Sequence, residues 1–379
     1  MRVLVNAISA KQGGIVTYTQ NLMRSFGELG IDATFAVSPG FPDKKTLPVL
    51  VVDVGGFGLG RRALWEQTVW RRIVARHNPD VLFSSANYAL LKCPVPQLLL
   101  IREGGLFDEF YLVNVAPTQG IAAAGIRAIR RQSILSSTRA ADHVFTPTGA
   151  MLDLLCDWAP DLAGKISFNH YGTLDDHFKP AARARGWRDD GQLRLLYVSV
   201  DYPHKSPGDV AEATRLLRQQ GTPSRARITM TLDEIRAVRG SAWDELRLAQ
   251  AVEEDLIDLG RCAYDRLPDL YAGHDVFVFP SIAETFGHPM VEAMSSGTPV
   301  VAADAPVNRE VCGDAALYFK PFSPSSLAEQ IRALDASPDL RATLIARARD
   351  RVIEHFRWND HVRRLIDDLK RLAAKQPVP

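Results

Sequence analysis

Two carboxylates, Glu284 and Glu292, stand with seven residues between them in SIAETFGHPMVEAMSSGTPVV, residues 281–301. Pro289 suits the first turn of a helix that Gly297 ends, which puts Glu284 in the preceding loop and Glu292 near the first helical turn. The amides of Thr285, Phe286 and Gly287 fall between the two acids. A carboxylate accepts hydrogen bonds from both hydroxyls of a diol, and free amides at a helix start suit an oxyanion. Diols at both ends with phosphate between them describe a nucleotide sugar. Two other places fit that chemistry. In VSVDYPHKSPGDV, Lys205 precedes a helix opened by Ser206 as cap and Pro207 as first residue, where a compact cation neutralises phosphate charge. In AKQGGIVTYTQNL, Gly13 and Gly14 open a helix and allow close backbone approach to a pyrophosphate. Taken singly, each has a plainer reading: a solvated lysine, a tight turn, a loop acid, an acid favourable to a helix start.

These residues need strands that end beside them. Short apolar runs at 3–8, 33–38, 48–54, 80–85, 96–102, 142–147 and 165–170 alternate with helical patterns that include 62–77 and 119–139. A second series of strands, at 193–200, 227–232, 256–260, 275–280 and 299–303, alternates with helices at 207–220, 264–273, 288–296 and 325–335. Two Arg-rich helices, 338–355 and 358–374, close the chain. The alternation predicts an α/β protein of two Rossmann-like domains with a cleft between them. In such sheets ligands sit beyond the carboxyl ends of strands, where Gly13, Lys205 and Glu284 all fall. The expected boundaries are an N-terminal domain over 1–178, a polar linker over 179–192, a C-terminal domain over 193–357 and a final helix from 358 that packs back on the first domain.

Composition narrows the partners. The chain has 379 residues, a length for two domains, and 45 basic against 44 acidic side chains, which gives no sign of a nucleic-acid binder. Four scattered cysteines without a C-x-x-C pair point to a reducing, cytoplasmic setting, and no apolar stretch is long enough for a membrane span. His170, His177, His204 and His288 lack metal-ligand spacing and read as polar loop residues. The glycines of VGGFGLGRR (54–62) have the wrong spacing for a dinucleotide fingerprint and read as a loop, and no G-x-S-x-G elbow is present. RRALWEQTVWRRIVARH (61–77) fits a basic amphipathic helix on an anionic membrane surface, or an ordinary helix with solvated arginines.

The segment LGRCAYDRLPDLYAGHDVFVFPSIAETFGHPMVEAMSSGTPVVAADAPVNREVCGDAALYF (259–319) resembles the signature region of the retaining glycosyltransferases of family 4, which have the GT-B fold. The E-x7-E spacing, the preceding FPS, EAM-x-x-G-x-PVV and the downstream E-V-x-G-D-A carry the resemblance. Gly13-Gly14, ADHVFTPTGAM, Gly172, Phe178 and Lys205 extend it more weakly along the chain. It implies that Glu284 binds hydroxyls of the transferred sugar, Glu292 the ribose diol and Lys205 the diphosphate. Amides near Phe286 and Gly287 would hold the sugar, Gly13 and Gly14 would approach the phosphates, and backbone near Arg261 and Cys262 would frame the base. No metal or cofactor is implied. Two departures stand out. Val200 occupies the place of an arginine found in many relatives, and IREGG (101–105) replaces a His-Asp. Arg102 would then supply positive charge as a catalytic residue, or pair with Glu103. The implied activity is transfer of a hexose from a nucleotide sugar to a glycan or lipid-linked acceptor, in surface polysaccharide or glycolipid synthesis. A phosphorylase, synthase or epimerase of the same fold, or a silent nucleotide-sugar-binding protein, are the alternatives.

Overall fold

The computed structural model of the chain describes residues 1–11, 13–42, 46–173, 177–180 and 186–378. They divide into two compact units. One takes Met1–Phe107, Ile126–Asn169 and the residues from Asn359 onward, and the other Asp108–Gly125 and His170–Trp358.

The first unit is built on seven strands: β1 (Arg2–Ala7), β2 (Asp32–Val37), β3 (Val49–Val51), β4 (Val81–Ser84), β5 (Gln97–Leu100), β6 (His143–Thr146) and β7 (Ile166–Phe168). They pair in the order β3-β2-β1-β4-β5-β6-β7, and β1 is parallel to both its neighbours. Every residue of β4, β5 and β6 is buried, the state of strands covered on both faces. The helix Gly14–Glu28 turns Tyr18, Leu22, Met23 and Phe26 inward, and Phe26 meets Phe35 edge-on at 6.0 Å.

The expected single helix over 62–77 is interrupted. An α-helix over Leu59–Trp65 passes through a π turn over Glu66–Trp70 into a second α-helix, Arg71–His77. The wider turn carries Trp70 into the core, 1% exposed, and stacks it 6.5 Å from Trp65. It also aims Gln67 at the chain beyond β4, where its amide donates to the Ala89 carbonyl at 3.0 Å and accepts from the Leu91 amide at 2.8 Å. The loop expected over 54–62 therefore ends at Gly58.

The second unit carries β8 (Leu193–Tyr197), β9 (Ser224–Ile228), β10 (Ile257–Leu259), β11 (Val276–Phe279), β12 (Val300–Ala303) and β13 (Ala316–Phe319). Their order is β10-β9-β8-β11-β12-β13. Two strands differ from expectation. β9 lies three residues earlier than the apolar run 227–232, because SRARI buries Ser224, Ala226 and Ile228 by alternation while Thr231 and Glu234 form a capping box on the next helix. β13 is an addition, as are the helices Ala242–Glu253 and Pro306–Cys312.

Residues 108–125 belong to this unit although β5 and β6 flank them in sequence. Asp108 caps the helix Glu109–Asn114, Phe110 stacks on Phe322 at 5.8 Å and Tyr111 meets His204 edge-on at 5.9 Å. Of the expected linker, 181–185 lie outside the described residues, and Trp187 and Arg188 bind Asp335 at 2.9 and 2.6 Å. Gly172 lies against the chain entering the last helix, Trp358–Ala373. A β-carbon there would stand 2.2 Å from the Trp358 nitrogen, so only glycine fits beside the parallel bridge of Thr173 to Arg357. Further along the same helix, His361 lies in the first unit, where its ring meets the Tyr18 hydroxyl at 3.1 Å and its carbonyl accepts from Asn169. Among the described residues no helix is long and apolar enough to cross a membrane.

Candidate active site

In both sheets the strand order reverses beside the first strand: β1 neighbours β4, and β8 neighbours β11. Such switch points leave a crevice at the carboxyl ends of the two strands. In the second unit the chain leaving β8 carries Lys205 and the chain leaving β11 carries Glu284, so adjacency of the strands brings residues 79 positions apart into contact. The Lys205 ammonium donates to Glu284 Oε1, and the two side chains are only 12% and 13% exposed. The backbone holds the pair in place. Ile282 N–H donates to the His204 carbonyl at 3.1 Å, and Tyr197 hydroxyl donates to the Lys205 carbonyl at 2.9 Å. From the helix Pro306–Cys312, fully buried Asn308 donates through Nδ2 to the carbonyls of Ser281 and Ala303, each at 2.9 Å, and so ties the Glu284 loop to the end of β12.

Burial pushes the Glu284 carboxyl up, but the Lys205 charge and its hydrogen bond outweigh it and hold the group below its ordinary value. Burial and the neighbouring ammonium push His204 down to about 3, so its ring is neutral. Ser206 does stand at the start of the helix Pro207–Gln219, yet in a left-handed conformation with φ 43°, and its side chain makes no cap bond. The Gly208 amide is met instead by Asp244 at 2.9 Å. Three acids gather there, Asp201 and Asp209 buried and Asp244 half-buried. Asp201 and Asp244 are each pushed up to about 6 and Asp209 to about 7, in every case chiefly by burial.

Beyond Glu284, the Phe286 ring packs at 1% exposure among Tyr171, His288 and Phe356, 5.0–5.5 Å away. That packing fixes the backbone of Thr285, Phe286 and Gly287. Gly287 adopts φ 81°, and a β-carbon would lie 2.5 Å from Met290 Cε, so the turn into the helix His288–Ser295 needs glycine. Glu292 is the fifth residue of that helix, at the end of its first turn. It is buried, accepts from the Tyr271 hydroxyl at 2.8 Å, and is pushed up to about 7 by burial against that lowering bond. Arg261 and Cys262 follow β10, two strands away from β8. The Arg261 guanidinium, 76% exposed, reaches Glu234 at 2.5 Å, and Cys262 contacts the Ala263 carbonyl.

In the first unit Gly13 has φ 70° at the start of the helix Gly14–Glu28, and a β-carbon on either Gly13 or Gly14 would meet nothing within 4 Å. Arg102 follows β5. Its amide donates to Asn87 at 2.7 Å and its guanidinium lies 5.7 Å from the Tyr18 ring. The Glu103 carboxylate is engaged by Arg130 at 2.7 Å. A pocket of about 270 Å³ at the ends of β1, β2 and β3 is lined by Lys11, Ser38, Phe41 and Asp53. A somewhat larger hollow in the second unit, about 320 Å³ among Arg194, Arg225 and Arg227, is away from the switch point. There Arg194 pairs with Asp190, Arg225 with Asp255 and Asp258, and Arg227 donates to the Gly260 carbonyl. Among the described residues no His, Cys, Asp and Glu cluster has the makings of a metal site.

Sequence reasoning missed Tyr271, Asn308 and the three aspartates. Tyr271 sits in an amphipathic helix where a tyrosine has no distinguishing pattern, and Asn308 acts through carbonyls of distant segments. Only the capping box of Thr231 and Glu234 carried a readable local signal.

Two parallel doubly wound sheets in one chain, each with its switch point lined as described, define the GT-B fold. The whole chain superimposes on sucrose-phosphate synthase from Thermosynechococcus elongatus with TM-score 0.79 and 19% identity, covering 99% of this chain and 100% of that one. It also superimposes on HepE of Anabaena in complex with UDP and glucose, with TM-score 0.72 and 18% identity, covering 98% and 99%. Residues 178–351 match the family model of Glycosyl transferases group 1. Among curated proteins, O-antigen chain mannosyltransferase B of Escherichia coli is 32% identical over 183 residues, 47% of this chain and 45% of that protein. The chain thus spans about half the length of the curated relatives it matches first.

Proposed function

We propose that the chain is a retaining hexosyltransferase that moves a sugar from a nucleotide-sugar donor to a glycan or lipid-linked acceptor in surface polysaccharide or glycolipid synthesis. The observation that carries the reading is the juxtaposition of Lys205 and Glu284 at the switch point of the second sheet, beside the amides that open the helix His288–Ser295. An ammonium and a helix start supply positive potential for a diphosphate, and a carboxylate one bond away accepts sugar hydroxyls. UDP and glucose in the complex of the Anabaena protein support the ligand class.

In this reading Lys205 neutralises the diphosphate, Glu284 fixes the transferred sugar and amides near Phe286 and Gly287 hold it. Glu292, oriented by Tyr271, takes the ribose hydroxyls, and the backbone at Arg261 and Cys262 frames the base. Gly13 and Gly14 offer open backbone to the phosphates, and Arg102 adds positive charge. The acceptor hydroxyl attacks the anomeric carbon from the face the phosphate leaves, and the departing phosphate oxygen takes its proton. Positive charge develops on the sugar ring beside that phosphate, so fixed charges rather than a proton-transferring side chain lower the barrier. Basic side chains and the helix start do the work at the leaving group, and no metal is required. The pocket of Lys11, Ser38, Phe41 and Asp53 is the acceptor's place. Exposed Leu64 and Val69 next to exposed Arg71 and Arg72 support contact with an anionic membrane surface.

The test is incubation with UDP-, GDP-, ADP- and dTDP-sugars. Slow donor hydrolysis that an acceptor alcohol accelerates is expected. Binding of none of them, with no nucleotide released, contradicts the reading. Nucleotide release that depends on an acceptor alcohol separates transfer from a phosphorylase, synthase or epimerase of the same fold.

A further inference from the structure

We propose that the Lys205–Glu284 pair makes the site discriminate between an intact nucleotide sugar and the bare nucleoside diphosphate, holding the donor and expelling the product. The proposal rests on the reading of Lys205 as the diphosphate cation and Glu284 as the sugar acid. Both side chains are nearly buried and satisfy each other. The segment that carries Glu284 is fastened on two sides, by Ile282 to His204 and by Asn308 to Ser281, so the carboxylate is held where it is. Removing one partner of a buried ion pair leaves an uncompensated charge, which is strongly unfavourable. A diphosphate that draws the protons of Lys205 does this to Glu284 and brings its own negative charge near. An intact donor restores what it takes, because sugar hydroxyls donate to Glu284 in the same event. A nucleoside diphosphate restores nothing.

The bare diphosphate therefore binds with Glu284 protonated. The groups that face this carboxyl are Lys205 and His204 from the turn after β8, Ser281 from its own loop and, at longer range, the Tyr197 hydroxyl from β8. Tyr197 is buried and its hydroxyl already donates to the Lys205 carbonyl, and His204 is enclosed between Tyr111 and Tyr202 beside an ammonium. Neither takes the proton in place of Glu284. Diphosphate binding then takes up a proton and tightens as pH falls, while donor binding does not.

Isothermal titration calorimetry of UDP, GDP, ADP and dTDP and of their glucose conjugates, with GDP-mannose added, tests this on the full chain. Wild type is compared with Glu284→Gln in two buffers of different ionisation enthalpy. The expected result is that Glu284→Gln binds the preferred diphosphate about tenfold or more tighter than wild type and its sugar conjugate more weakly. Wild type takes up about one proton more than the variant on binding the diphosphate. Equal or weaker diphosphate binding by Glu284→Gln, with the same proton count, overturns the discrimination. Loss of the sugar conjugate's affinity in that same variant would leave the donor-site reading standing. Failure of every probe to bind wild type overturns both. Lys205→Met, which is expected to lose affinity for diphosphate and conjugate alike, shows that any gain in Glu284→Gln comes from the pair and not from loosened packing.

Discussion

Lys205 and Glu284 are individually ordinary residues that meet at the mouth of β8 and β11, and the proposed chemistry rests on that contact. Substituting either removes interactions that strengthen as charge separates, so Glu284→Gln and Lys205→Met are each expected to lower the transfer rate by about a hundredfold or more. Thermal melts should show the fold retained; full turnover in either variant contradicts the assignment. A second consequence concerns the acids behind Lys205. Burial holds Asp209 at about 7, and Asp201 and Asp244 at about 6, all above an unfolded aspartate. The folded chain then binds more protons than the unfolded chain between about pH 4 and pH 7. These groups therefore contribute stability at the acid end of that window, and lose it as pH rises through the folded values. Asp209, with Oδ2 unpartnered and Arg247 at 3.5 Å from Oδ1, is the clearest case. Asp209→Asn should stabilise the chain by about 1–2 kcal/mol at pH 8 and have little effect at pH 4, read by denaturant unfolding. The identities of Lys205 and Glu284 were legible in sequence because a motif surrounds each. Their contact was not, since it depends on which strands are neighbours.

At the scale of elements, the proposed site rests on the helix His288–Ser295 and the loop before it. Gly287 is needed for both its positive φ and the room beside Met290. Gly287→Ala should reduce stability by about 1–3 kcal/mol and lower turnover through displaced amides, measured by chemical denaturation alongside initial rates. Strands with continuous apolar runs, such as β11 and β12, were legible because burial on both faces favours that composition. β9 was not placed correctly, because two of its three inward positions are Ser224 and Ala226 and its arginines are half-buried, and the more apolar run beside it begins a turn and a helix. The π turn at Glu66–Trp70 was also illegible. Its cause is tertiary: Trp70 must reach the core while Gln67 reaches residues 89–91. Boundaries that answer to distant packing leave no local trace.

For the whole molecule, two parallel α/β sheets were foreseeable from alternation alone, whereas their strand orders and the assignment of residues 108–125 to the second unit were not. That segment carries Phe110 and Tyr111 onto Phe322 and His204, contacts between residues far apart in sequence. The proposed transfer needs no metal. Excess EDTA should leave the transfer rate within roughly twofold, and a large loss restored by magnesium would contradict it. Membrane contact is tested by co-sedimentation with anionic vesicles, where replacing Leu64 and Arg71 together should release the chain and unchanged sedimentation would exclude that helix. The most direct measurement of the central claim is proton NMR of the sugar released when the chain slowly hydrolyses its preferred nucleotide sugar. A retaining site built on Lys205 and Glu284 releases the sugar first in the anomeric configuration it had in the donor, and Glu284→Gln abolishes the signal. Release of the opposite anomer, or undiminished release by the variant, would contradict the account.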